Sequence, residues 1–207
     1  LLLCAATIFS KSTTANADDR YVKLCERYFT EFAEDYGKFG QKDGFTYLYS
    51  DKKNTATIVA IPMEQKKVAV PGKINGKTVT KIELMDVFSC SSNYYFRDEF
   101  YGEHEDNPVP KVEYLSIPKT VKVINIYAGI GLTEGYCGEL QSYLVHLKKF
   151  NVASANKWYR SYKGMLYTKN GKKLLLVPRK YMAKTVKVKK GTTKIADSAF
   201  SFCTNIK

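Results

Sequence analysis

The sequence predicts a mainly β solenoid, built from short strands stacked in successive coils and closed at its N-terminal end by an α-helix. Three observations carry this. First, Thr192-Thr-Lys-Ile-Ala-Asp-Ser-Ala-Phe-Ser-Phe-Cys203 has a looser counterpart in Thr80-Lys-Ile-Glu-Leu-Met-Asp-Val-Phe-Ser-Cys90, with the same Ile-to-Cys distance. A partial third echo is Thr120-Val-Lys-Val-Ile-Asn-Ile-Tyr-Ala128. A unit that recurs cannot bury its apolar face alone and must stack on its neighbours. Second, an Ile-Pro or Val-Pro pair recurs at Ile61, Val70, Ile117 and Val177; a proline just past a strand stops the ladder and forces a corner. Third, the only long helical periodicity lies before the repeats.

That helix is expected over residues 18–39, where Tyr21, Leu24, Cys25, Tyr28, Phe29, Phe32, Ala33 and Tyr36 paint one apolar stripe. Asp18 and Asp19 suit its positive end, and Gly37 with Gly40 supplies the stop. Its most direct role is to cap the open first coil, so residues 18–43 form the cap. Before it, Leu1-Leu-Leu-Cys-Ala-Ala-Thr-Ile-Phe9 and the sequence Ala15-Asn16-Ala17 read as the apolar region and cleavage site of an export signal. Residues 1–17 are therefore expected to be a signal-peptide remnant whose start lies upstream. The apolar run is too short to span a bilayer. The expectation is a secreted or cell-surface location.

From residue 44 the period changes. Phe45-Thr-Tyr-Leu-Tyr49 and Thr55-Ala-Thr-Ile-Val-Ala-Ile61 flank a polar turn and predict a hairpin. Short strands follow at Lys67-Val-Ala-Val70 and Thr78-Val-Thr-Lys-Ile82, with a turn at Asn75-Gly76. A further hairpin is expected around a type I′ turn at Asn170-Gly171. Ile82 to Ile124 is 42 residues and Ile124 to Ile195 is 71, both near multiples of a 21–24-residue unit. That period predicts a leucine-rich-repeat solenoid over residues 44–207. Insertions near 91–111 and 129–147 interrupt it, and the last coil is expected to continue beyond Lys207. Ile82, Phe88, Cys90, Ile117, Ile124, Ile195, Ala199, Phe200 and Cys203 are the structural repeat positions.

Val68-Ala-Val-Pro, Val79-Thr-Lys-Ile, Tyr114-Leu-Ser-Ile-Pro and Ile195-Ala-Asp-Ser-Ala-Phe-Ser-Phe-Cys together resemble the BspA-type leucine-rich repeats of bacterial surface proteins. The hairpin Trp158-Tyr-Arg-Ser-Tyr-Lys-Gly-Met-Leu-Tyr is similar to an insert such proteins carry between repeats. The resemblance covers residues 44–207 and is most specific over 163–203. It implies adhesion or host-protein binding, and it implies that Ile195, Ala199, Phe200 and Cys203 point into the stack.

Composition narrows the chemistry. The 207 residues are 44% hydrophobic and 26% charged, as in ordinary globular proteins, but carry 16 Tyr and a net charge of +13, mostly as Lys. Lysine favours non-specific attraction to polyanions over bidentate reading of phosphates or bases. Solvated lysines on strand faces and edges are the plainer account of the count. No signature for specific nucleic-acid binding is present; an anionic cell-wall polymer or host glycosaminoglycan suits an exported protein better. Of the five cysteines, Cys25, Cys90, Cys137 and Cys203 fall in the mature chain. Free structural thiols are expected rather than disulfides, because two of them occupy repeat positions that a small apolar residue would fill.

No catalytic residues, cofactor or metal are expected. There are two histidines, His104 and His146, and no G-x-S-x-G, phosphate-loop, H-E-x-x-H or C-x-x-C motif. Cys137 with His146 would be the only Cys–His pairing of interest, and packing explains Cys137 as well. Glu103-His-Glu-Asp106 lacks the spacing of a calcium loop and reads as a solvated acidic segment. The candidate binding residues are Tyr94, Tyr95, Phe96, Phe100 and Tyr101, clustered in the first insertion. Exposed tyrosines offer flat area and a hydroxyl at low entropic cost; burial of the insertion against itself is the plainer reading. The chain is thus expected to be a non-catalytic module binding a host or cell-surface protein or glycan. The alternative is the accessory arm of a larger secreted enzyme.

Overall fold

The computed structural model describes residues 38–84, 109–125 and 143–207. Among them every regular element is a strand, and none is a helix long and apolar enough to cross a membrane.

The described chain opens with three antiparallel strands, β1 (Lys38–Lys42), β2 (Phe45–Ser50) and β3 (Thr55–Ala60). Strand β1 revises the end of the expected helix. Residues 18–37 lie outside the described residues, but Lys38 and Phe39 already pair with Tyr49 and Leu48. Gly40 is not a helix stop. It sits opposite Tyr47, and a Cβ there would fall 2.6 Å from the Tyr47 ring, so the missing side chain lets the ring lie across the strand. The β1–β2 turn, Asp43-Gly44, has both residues at positive φ, as the two-residue hairpin turn that matches strand twist requires.

The next strands alternate between two parallel ladders. One joins β3, β6 (Lys77–Ile82) and β8 (Val123–Ile124); the other joins β4 (Lys67–Ala69), β7 (Tyr114–Ile117) and β9 (Lys149–Val152). A short strand β5 (Lys73–Ile74) folds back on β6 through Asn75-Gly76, again with both turn residues at positive φ. Register aligns Ile58 with Ile82 and Ile124 in the first ladder, and Val68 with Leu115 and Phe150 in the second. All six are buried in one core that both ladders enclose. The echo of Ile82 at Ile124 is therefore a direct ladder pairing. Ile117, another repeat position, is buried in the second ladder.

The prolines act as corners. Val70 N donates to Ser116 O at 3.0 Å, continuing the β4–β7 ladder by one bond, and Pro71 then has no N–H to continue it. The crossings between ladders differ widely in length: β3 reaches β4 through the short segment 61–66, whereas β6 reaches β7 through 83–113 and β8 reaches β9 through 125–148. The two long crossings contain the insertions expected near 91–111 and 129–147, most of which lie outside the described residues.

The remaining strands form a separate sheet in the order β10 (Tyr159–Tyr162), β11 (Met165–Thr168), β12 (Lys173–Leu176) and β13 (Lys194–Ile195). Two expectations change here. The turn with both residues at positive φ is Lys163-Gly164, between β10 and β11. At Asn170-Gly171 only the glycine has positive φ, so the β11–β12 connection is not type I′. Instead Asn170 Oδ1 accepts Lys172 N at 3.0 Å and Thr168 Oγ1 at 2.8 Å, and the asparagine side chain closes a wider loop. Ile195 also departs from expectation. It pairs with Leu174 of the C-terminal sheet rather than joining Ile82 and Ile124, and it is 52% exposed on β13, an outer strand of that sheet.

A second core lies under this sheet, with Met165, Tyr167, Leu174, Val177, Tyr181, Ala196 and Ala199 buried. Ala199 is fully buried in it, while Phe200 and Cys203 pack against this core only half-buried. Cys203 is a free thiol whose Sγ lies 3.5 Å from Val177 O, and burial raises its pKa. Phe88, Cys90 and the other cysteines lie outside the described residues. Native Cys203 is accordingly expected to react with a maleimide at pH 8 much more slowly than in denaturant, as peptide mapping after timed labelling would show; equal rates would contradict the packing.

One buried polar side chain ties the ladders to the C-terminal sheet. Asn156, fully buried, donates from Nδ2 to Pro118 O and Val121 O, both at 2.9 Å, and accepts Trp158 N and Tyr159 N at Oδ1, both at 2.8 Å. An unpaired buried backbone group costs about 1–3 kcal/mol, so Asn156→Ala should cost about 3 kcal/mol or more. Urea unfolding would show this as a lower midpoint at unchanged slope. A loss below about 1 kcal/mol would mean that the turn holds itself.

Candidate binding surface

The aromatic cluster expected to bind, Tyr94, Tyr95, Phe96, Phe100 and Tyr101, lies outside the described residues, as do Glu103, His104, Glu105, Asp106 and Cys137. His146 is described and exposed. Among the described residues no group of three or more His, Cys, Asp or Glu side chains is placed to hold a metal ion. What the described residues do present is a surface of paired aromatics and lysines.

Five basic side chains lie over aromatic rings. Lys77 Nζ is 5.8 Å from the Tyr49 centroid, Lys67 Nζ 6.0 Å from Tyr114, Lys122 Nζ 5.6 Å from Trp158, and Lys163 Nζ 5.8 Å from Tyr162. The Arg179 guanidinium lies 5.1 Å from Phe202. Each such contact contributes about 0.5–1 kcal/mol when exposed, and together they hold flat rings at the surface. Trp158 is the only tryptophan. Its backbone N is held by Asn156, and its carbonyl accepts Lys169 N at 2.7 Å. It remains 38% exposed with Lys122 over its ring, and Val123, next to Lys122, is exposed too. Sequence pattern places Trp158 in a hairpin and assigns it no role; a lone tryptophan at the edge of that hairpin is the signal that could have marked it.

The charge is unevenly spread. Lys38 and Lys77 both bridge Asp51, at 2.9 and 2.6 Å; Lys81 pairs with Glu83, Lys111 with Glu64 and Lys148 with Glu113. Asn125 also donates to Glu83 at 2.9 Å. The acid in every one of these pairs precedes residue 143. Residues 143–207 hold 16 of the 33 Lys and Arg residues but, in Asp197, one of the 20 acids, so this segment carries +15 and the rest of the chain −2. The total charge alone conceals this division.

Hydrogen bonds gather part of that excess at one end of the C-terminal sheet. Thr193 N and Lys194 N both donate to Lys172 O, at 2.8 and 3.0 Å, and Thr192 Oγ1 donates to Gly171 O at 3.1 Å. Lys189 N donates to Tyr167 Oη at 3.2 Å, and its side chain lies against Gly171, where a Cβ would come within 2.8 Å of Lys189 Cδ. Lys173 and Lys194 are direct neighbours across β12 and β13. Lys172, Lys187, Lys190 and Lys194 are exposed, and none of them forms an ion pair among the described residues.

Alternation between two parallel ladders around a shared core defines a repeat protein of stacked coils. No protein-family model matches the sequence, and no curated protein matches it either. Similar solved structures include a leucine-rich repeat protein from Eubacterium ventriosum, 16% identical over 82% of this chain and 58% of that one, with a TM-score of 0.39. A leucine-rich cell surface protein from Faecalibacterium prausnitzii is 15% identical over 84% of this chain and 37% of that one, also with a TM-score of 0.39. The pneumococcal vaccine antigen PcpA is 15% identical over 79% of this chain and 62% of that one, with a TM-score of 0.29. The chain spans less than two thirds of the length of each. The ladders themselves, rather than these likenesses, define the stacked coils.

Asp51 gives the first part of the surface a pH signature. Hydrogen bonds from Lys77 and then Lys38 lower its pKa from 3.8 to about 2. A depressed carboxyl stabilises the fold above its unfolded pKa, and that contribution disappears as pH falls towards 2. Thermal melts between pH 4 and 2 should therefore fall more steeply for the native chain than for Asp51→Asn; parallel curves would show that the two lysines do not hold Asp51 in solution.

Proposed function

We propose that the chain is a non-catalytic interaction module of the BspA-type leucine-rich-repeat kind, exported to a bacterial surface, where it binds a host or cell-surface protein or glycan. The observation that carries this reading is the pair of parallel ladders. They fix strands in register while the crossings between them vary from the short segment 61–66 to the long segment 83–113. A rigid stack with connections of variable length separates shape from recognition, and recognition belongs on the connections. The longest, between β6 and β7, contains Tyr94, Tyr95, Phe96, Phe100 and Tyr101. The export pattern in residues 1–17 supports the location, and an adhesive role fits tyrosine-rich contact surfaces.

The test is a binding screen of the mature chain against extracellular-matrix proteins, glycans and host cells, with a variant carrying Tyr94→Ser, Tyr95→Ser and Tyr101→Ser. Binding of the parent and a tenfold or greater loss in the variant, at unchanged melting temperature, is the expected result. Undiminished binding by the variant would move recognition off this connection, and no binding by the parent to any of these would remove the reading.

A further inference from the structure

We propose that one end of the C-terminal sheet, running from Lys122 and Trp158 to Lys194, is the binding track of an anionic polysaccharide. This deepens the interaction-module reading and rests on it. The start of β10, the end of β11 and the starts of β12 and β13 all lie at this end, because β10–β11 and β11–β12 are antiparallel and β12–β13 is parallel. Three interstrand steps separate the first strand from the last, about 14 Å at the usual sheet spacing. Trp158 stands immediately before β10, Lys172 immediately before β12, and Lys194 begins β13. The segment bearing Lys187, Lys189 and Lys190 is bonded to the same end through Tyr167 and Gly171. The result is a line of positive charge with an aromatic plate at one end.

The retention of that charge needs a reason. Like charges directly across a sheet are destabilising, and Lys173 faces Lys194. In the N-terminal coils the protein offsets such charge with Asp51, Glu64 and Glu83, and Glu113 pairs with Lys148 at the start of the basic segment. In residues 143–207 the sole acid is Asp197. A ligand that brings its own negative charge supplies the missing counter-ions, and a linear one matches charges set in a line across strand ends.

The chemistry of the side chains favours a sugar polymer. The charged groups are lysines, which attract sulfate or carboxylate as point charges, without the bidentate geometry by which arginine reads phosphates and bases. Trp158 is 38% exposed with Lys122 over its ring, so its flat apolar plate can stack on a sugar ring while the lysine meets a charged substituent. Lysines alone would hold any polyanion; the tryptophan makes the track selective for one built of rings.

The experiment uses the whole mature chain on immobilised heparin as the anionic polysaccharide, and on long-chain polyphosphate as a polyanion without rings. One variant carries Lys172→Gln, Lys187→Gln, Lys190→Gln and Lys194→Gln. A second, Lys42→Gln, Lys52→Gln, Lys53→Gln and Lys66→Gln, removes the same charge from other exposed positions. A third is Trp158→Ala. The first variant should lose tenfold or more in heparin affinity, and its salt dependence should shallow by about one unit of log–log slope for each ligand-bound lysine removed. The second should stay within about threefold of the parent. Trp158→Ala should weaken heparin binding severalfold and leave polyphosphate binding unchanged.

Equal losses from the two lysine variants would overturn the track, since net charge alone would then explain binding. A Trp158→Ala effect that is the same on both polymers, or absent from both, would overturn the assignment to a polysaccharide. Failure to bind heparin while matrix proteins or cells are still captured removes this inference and leaves the interaction-module reading standing. Failure of both removes both.

Discussion

The fold depends on two parallel ladders sharing one core. A parallel neighbour cannot be reached by a tight turn, so the chain must leave the sheet, cross over and return. Here the crossing carries it into the second ladder. Ile58, Ile82 and Ile124 on one side and Val68, Leu115 and Phe150 on the other are buried only because successive coils lie in register. Since the side-chain period of a strand is two, a slip by one residue would turn each set outward. Register is thus enforced by burial, while the length of the crossing is not. That asymmetry permits crossings as unequal as 61–66 and 83–113 within one stack.

A second constraint sets the C-terminal sheet apart. It is joined to the ladders by main-chain bonds, such as Phe150 N to Gly164 O at 2.8 Å and Lys180 N to Leu147 O at 2.8 Å, and by the side chain of Asn156. Its own core is small, and its last strand leaves Ile195 exposed. Most of the positive charge of residues 143–207 lies on it and on the segments that flank its strands. The N-terminal coils place acids beside their lysines, whereas Lys172, Lys187, Lys190 and Lys194 of the C-terminal sheet and its flanking segments face solvent with no acid beside them among the described residues. Structure and charge thus divide the chain into a part that forms the main stack and a basic part attached to its end.

Much of this is legible in the sequence, for local reasons. The hairpin from Phe45 to Ile61 and the turn at Asn75-Gly76 follow from alternation and turn chemistry. Strand β1 is not legible, because an aromatic stripe leads into it and Gly40 looks like punctuation. Its partner Tyr47, whose ring occupies the space a side chain at 40 would need, is distant in pattern and visible only in the fold. Asn170-Gly171 misleads because that dipeptide favours one turn in isolation, while the side-chain bonds of Asn170 select another.

The sequence by itself determined that short strands would recur and where prolines would end them, because these are properties of neighbours along the chain. It also held the charge division, in the near-absence of acids after residue 142. Only the tertiary structure decided that Ile195 would be left on an outer strand, that Trp158 would be held up by a buried asparagine with a lysine against its ring, and that lysines from separate segments would line one end of a sheet. Those outcomes depend on which strands become neighbours, and strand pairing is set by the burial available to the whole stack rather than by any one segment.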